Sequence, residues 1–134
     1  MTCFHATVLV AGTAKGEVLH LVDDLSFWGA VDPLTGKIID RRHPQFGLEI
    51  GDKIILLRRS IGSSSGSAIL LETLHRGCGP VGIIMGEPDQ ILTLGAVVAR
   101  EMGYGSIPVL EMDANHFPQL GGHITISLDG KIST

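Results

Sequence analysis

The chain has 134 residues, 44% of them apolar, with a formal charge of −4 and only 18% charged side chains, which fits one domain, residues 1–134, with a genuine core. Charges of both signs are scattered and no basic run occurs, so nucleic acid has no electrostatic footprint here. Charged content below the roughly 25% usual in soluble domains, together with 18 glycines, points to a surface partly covered by a partner.

In chain order, Ala6 to Ala11 and Glu17 to Val22 are short β-rich runs. The stretch Gly12 to Gly16 between them reads as the loop of a pair of neighbouring strands. From Asp23 to Asp52 turn signals dominate: Asp32-Pro33, Thr35-Gly36, His43-Pro44 and Gly51-Asp52. Long structured loops in compact domains are often functional. This one gathers Phe27, Trp28, Asp32, Asp40, Arg41, Arg42 and His43 and is read as a binding rim. Within it Asp32 also suits a simple turn start, Trp28 suits a subunit interface, and His43 suits either substrate orientation or an exposed turn. Asp23-Asp24 reads as solvated surface.

An α/β rhythm follows. Lys53 to Leu57 is a buried-strand pattern, Ser67 to Arg76 a helix stopped by Gly77, and Val81 to Met85 a second apolar strand. Glu87-Pro88-Asp89 carries the signals of a helix start, and Gln90 to Met102 an apolar stripe ending at Gly103. Ile107 to Leu110 makes a third strand. This order predicts a parallel sheet segment with right-handed crossovers. Ile124 to Leu128 alternates, and Asp129-Gly130 turns the chain into a final short strand.

Between the strand at Lys53 and the next helix lies Gly62-Ser63-Ser64-Ser65-Gly66-Ser67. A polar, glycine-rich turn at a strand end and helix start collects backbone N–H donors at the positive end of a helix dipole, a place for a carboxylate or phosphate oxygen. It is equally the composition of an ordinary serine-capped turn. It lacks the Gly-Lys-Ser/Thr of a P-loop and the spacing of a dinucleotide fingerprint. Cys3 and Cys78 stand far apart with no C-x-x-C pair, so neither zinc nor an iron–sulfur cluster is expected on this chain alone. His5, His20, His75, His116 and His123 show no ligand spacing. The sequence begins without the pattern of a signal peptide and has no transmembrane run, so a reduced, cytoplasmic protein is expected.

The runs Leu25-Ser26-Phe27-Trp28-Gly29-Ala30-Val31-Asp32-Pro33-Leu34-Thr35-Gly36, Asp40 with His43-Pro44, Gly62 to Ser67, and later Asp89-Gln90-Ile91 and Gly95-Ala96-Val97-Val98-Ala99 together resemble the small subunit of aconitase X hydro-lyases. The resemblance implies a swivelling β/β/α domain with a mixed, partly parallel sheet and flanking helices. It implies a large subunit that holds an iron–sulfur cluster or metal ion, and removal of water from mevalonate 5-phosphate in archaea or from cis-3-hydroxy-L-proline in bacteria. It assigns Ser63 as the proton-abstracting base, with Gly62, Ser64, Ser65, Gly66 and Ser67 around the substrate and Asp32, His43 and Arg59 as further candidates. Where the family commonly has Gly-Arg-Gly or Gly-Lys-Gly before the serines, this chain has Arg58-Arg59-Ser60-Ile61-Gly62, which leaves Arg58 or Arg59 to replace the basic residue. Ser64-Ser65 is closer to the hydroxyproline type than the archaeal Gly-Ser-Thr-Val-Gly-Ser. A closing or regulatory swivel module without chemistry is the reading from another class.

Overall fold

The computed structural model describes residues 3–59 and 65–134. Its strands are β1 (Cys3–His5), β2 (Thr7–Val10), β3 (Ala14–Leu21), β4 (Lys53–Leu57), β5 (Gly82–Met85), β6 (Val109–Glu111), β7 (His123–Ile126) and β8 (Lys131–Ser133). Two full helices, α2 (Gly66–His75) and α3 (Gln90–Glu101), follow a single turn, α1 (Phe27–Ala30), and a 3₁₀ segment spans Ala114–Gln119. The strands form one mixed sheet in the order β1-β8-β7-β3-β4-β5-β6-β2. The steps from β3 through β4 and β5 to β6 are parallel, and the remaining pairs are antiparallel. The mixed α/β architecture expected from the sequence is what forms.

The two edges of this sheet are consecutive strands. β1 lies on β8 and β2 on β6, with only Ala6 between them, and the Ala6 N–H donates to the Gly130 carbonyl at 3.0 Å. One extended run therefore leaves one edge and joins the other, which a flat sheet does not allow. The register shift between Val8 and Val10 supplies the local bend. The sheet thus curls until its edges meet.

This curl overturns the expected strand pair at the N-terminus. β2 and β3 are not neighbours. In a flat sheet they would be four spacings apart, about 19 Å, whereas the link from Val10 to Ala14 reaches at most about 14 Å. The curl makes the short link possible, and Arg100 on α3 ties it down by donating to the Ala11 carbonyl. β3 also begins earlier than Glu17, because Gly16 belongs to the strand. A Cβ at Gly16 would stand 3.1 Å from the Asp52 carbonyl oxygen, a close backbone approach of the kind that places glycine inside strands.

Alternation along the parallel strands divides the core in two. Ile54, Leu56, Ile84 and Leu110 pack inside the curl with Phe117 of the 3₁₀ segment. Ile55, Leu57, Ile83, Met85 and Val109 face outward against Leu70 of α2 and Leu92 and Ala96 of α3. Ile54 to Leu57 are each 0% exposed, as expected of a parallel strand covered on both faces. Each such side chain contributes about 1.5–3 kcal/mol by leaving water.

The helix boundaries follow from their caps. The Asp89 carboxylate accepts from the N–H groups of Ile91 and Leu92 at 2.8 and 3.3 Å, satisfying two donors that the first turn of α3 leaves open. Leu92, Gly95, Ala96 and Ala99 form its buried stripe. α2 ends before Gly77, which has φ +75°. Among the described residues no helix is long and apolar enough to cross a membrane.

The segment from Asp23 to Asp52 is less open than its turn signals suggest. Leu25, Phe27, Ala30, Val31, Ile38 and Ile50 are buried, and isolated bridges join Val31 to Ile38 and Lys37 to Glu49. It is a folded lobe laid against the outward core.

Candidate active site

The parallel strands bring Leu21, Leu57 and Met85 to the same edge of the sheet. Pairing continues past the strand ends, with Gly86 N–H donating to the Leu57 carbonyl and Glu87 N–H to that of Arg58, both at 2.9 Å. From this carboxyl edge the chain runs through the serine loop into α2, the arrangement at which ligands meet helix N-termini in α/β sheets. Gly62, Ser63 and Ser64 lie outside the described residues. Ser65 is exposed and Ser67 half-buried, and the Ser65 carbonyl accepts from Ala68 and Ile69 at 3.1 and 3.3 Å to open α2. Gly66 is buried beneath Phe27 and Leu92.

The first turn of α2 is set by contact with α3. A Cβ on Gly95 would come within 2.9 Å of the Ser67 carbonyl oxygen and 3.2 Å of its Cα, so the absent side chain is what lets the helices approach. This links the Gly95-Ala96 motif to the first turn of α2.

The two arginines that follow β4 make different contacts. Arg59 Nε donates to Asp24 Oδ2 at 2.8 Å, and the Asp24 side chain is 19% exposed. The Arg59 pKa is raised, first by this hydrogen bond and then by the charges of Asp24 and Glu87. Asp24 is therefore not the solvated residue that the sequence suggested. It follows β3, and the parallel pairing of β3 with β4 brings the exits of the two strands side by side. Arg58 instead lines a cleft of about 450 Å³ with His20, Asp23, Asp24, Ala114 and Phe117.

A second cleft, about 480 Å³, lies on the lobe side of Asp24, with Trp28, Ile39, Arg41 and Arg42 on its walls. Trp28 is 58% exposed there. Asp40 is held below the usual carboxylate range, chiefly by the Arg42 N–H that donates to its Oδ1 at 3.0 Å, with the Arg42 charge adding to the effect.

His43 and Asp32 sit elsewhere in the lobe. His43 is buried, its Nδ1 accepting from the Gln45 N–H at 3.0 Å. Its Nε2 makes no hydrogen bond to a described residue. Asp32 closes a turn, its Oδ1 accepting from Leu34 N–H at 2.9 Å. That turn reaches Cys78, whose thiol donates to the Pro33 carbonyl at 3.6 Å. Cys78 precedes β5, so Asp32 stands at the amino edge of the sheet.

Gln45 is a structural residue that the sequence reading missed. β7 stops opposite Glu17, leaving the later part of β3 without a partner on that side. The Gln45 amide donates to the His20 carbonyl at 2.9 Å and accepts from the Val22 N–H at 3.1 Å, binding the lobe to the strand end beside the first cleft. No local pattern marks a glutamine for that task.

The two cysteines stand apart in the fold. Cys3 is on β1 beside Ser133 and Cys78 is at the amino edge, and both are free thiols. Among the described residues no three His, Cys, Asp or Glu side chains gather to hold a metal. The donor set present here does not fit an iron–sulfur cluster.

The model of the aconitase X swivel domain family matches residues 3–134. The chain belongs to this family. Over 101 residues, 75% of the chain, it is 45% identical to cis-3-hydroxy-L-proline dehydratase of Pseudomonas aeruginosa, of which it covers 17%. It is 34% identical over 101 residues, again 75% of the chain, to the phosphomevalonate dehydratase small subunit of Methanosarcina acetivorans, of which it covers 66%. The chain spans only about a fifth of the length of its hydroxyproline-type relatives, 17% and 21%. The crystal structure of holo-form aconitase X from Thermococcus kodakaraensis matches with a TM-score of 0.86 and 28% identity, over 99% of this chain and 98% of that one. The aconitase X swivel domain is thus established as its fold, with relatives that are dehydratases.

Proposed function

We propose that this chain is the swivel half of a dehydratase that removes water from cis-3-hydroxy-L-proline in the cytoplasm, acting with a large aconitase-X-type partner. The single observation that carries this reading is the 45% identity to the hydroxyproline enzyme, against 34% to a phosphomevalonate small subunit. Mevalonate 5-phosphate is the second reading, supported by those small-subunit relatives.

In the proposed reaction Ser63 Oγ, as alkoxide, takes the proton from the carbon bearing the carboxylate and becomes the hydroxyl. The C–H pair forms a C=C bond to the neighbouring carbon, whose bond to hydroxide breaks, and the hydroxide takes a proton from solvent to leave as water. A serine hydroxyl is a weak base in water, so it requires donors and positive potential around the oxygen. The N-terminus of α2 supplies a dipole of that sign, and the Arg59–Asp24 pair at 2.8 Å fixes the residue from which the chain enters the loop. An iron–sulfur cluster or metal ion belongs in this proposal to the partner, because the cysteines of this chain do not assemble a site, and no step is drawn through it.

The test is to co-purify the chain with its large partner and to measure water loss from cis-3-hydroxy-L-proline and from mevalonate 5-phosphate in parallel. Turnover of hydroxyproline by the complex, with none by the isolated chain, supports the proposal. Turnover of the phosphate alone selects the second reading, and a stable complex inert toward both makes the chain a closing module without chemistry.

A further inference from the structure

Resting on the hydroxyproline reading, we propose that the cleft of about 450 Å³ at the carboxyl ends of β3 and β4 recognises the charged head of a cyclic amino acid, with Arg58 donating to its carboxylate and Asp23 accepting from its secondary ammonium. Of the two arginines before the serine loop, Arg59 is engaged by Asp24. Arg58 follows β4 directly and lines the cleft together with Ala114 and Phe117. Its backbone is fixed by the Glu87 N–H on its carbonyl at 2.9 Å. Among the described residues it makes no ion pair.

The charges of the cleft select the ligand class. With Asp24 balanced by Arg59, one guanidinium and one carboxylate remain, Arg58 and Asp23. A zwitterion matches that pair group for group. A phosphate monoester, near −2 at neutral pH, would instead meet Asp23 as a like charge. The floor suits a small ring: Phe117 and Ala114 are apolar, and His20 stands edge-on to Phe117 with centroids 5.6 Å apart at 90°.

The experiment uses the complex of this chain with its large partner. It measures KM for cis-3-hydroxy-L-proline, and inhibition by L-proline and by cyclopentanecarboxylate, which keeps the carboxylate and lacks the ammonium. Arg58→Gln is expected to raise KM by about ten- to a hundredfold, the worth of a charge-assisted hydrogen bond, with Arg58→Lys recovering part of the loss. L-proline should inhibit the wild-type complex at least about tenfold better than cyclopentanecarboxylate, and Asp23→Asn should close that gap. Unchanged KM in Arg58→Gln, or equal inhibition by the two compounds in wild type, overturns the proposal while leaving the hydroxyproline reading in place. A wild-type complex that spares hydroxyproline and dehydrates mevalonate 5-phosphate removes that reading, and this proposal with it.

Discussion

Arg59 and Asp24, separated by 35 positions in sequence, meet at 2.8 Å where the serine loop leaves the sheet. The contact joins the end of β4 to the end of β3, so the orientation of one strand's exit depends on the other. Removing either charge is expected to lower kcat/KM of the complex by about tenfold with little change in the unfolding midpoint, because the pair is half-exposed on the Arg59 side. The reversed pair, Asp24→Arg with Arg59→Asp, should recover most of the loss. Additive losses in the double variant would show that the two residues act separately.

The contact between Gly95 and the Ser67 carbonyl predicts an effect on both stability and turnover. Alanine at position 95 gains about 1 kcal/mol of helix propensity, but its Cβ meets backbone at 2.9 Å, an overpacking that costs about 1–3 kcal/mol. Gly95→Ala should therefore lower the urea midpoint and, by shifting the first turn of α2, lower kcat as well. A raised midpoint would mean that the helices separate without cost.

Much of the scaffold was legible in the sequence. β4 and β5 are apolar runs bounded by charge or glycine, α3 announces itself by Asp89 and its stripe, and Asp129-Gly130 marks the last turn. What the sequence hid is non-local. The pairing of β2 depends on closure of the sheet around Ala6, which no period encodes. The buried residues of the lobe, such as Leu25, Ile38 and Ile50, follow neither a helical nor a strand period. The partner of Arg59 is found only when β3 and β4 are laid side by side. At the site itself the start of α2 was readable from glycine, serine and helix signals, whereas the pairing of Arg59 with Asp24 required the strand order.

Burial pushes the Cys78 thiol pKa up, partly offset by a backbone hydrogen bond and the charge of Arg76. A raised folded-state pKa means that the associated stability is full below the ordinary thiol pKa, about 8.5, and is lost as pH rises through the folded value. Urea unfolding of the wild type between neutral pH and pH about 10 should show that decline. Cys78→Ser, which keeps a donor for the Pro33 carbonyl, should flatten it. An identical decline in both proteins would place its origin elsewhere.

The central claim is that Ser63 is the base of a dehydration completed by a partner, and its most direct measurement is turnover of cis-3-hydroxy-L-proline by the co-purified complex carrying Ser63→Ala. With the complex intact, loss of a general base is expected to lower kcat by about 10²- to 10⁴-fold. Turnover equal to that of the wild-type complex would contradict the account.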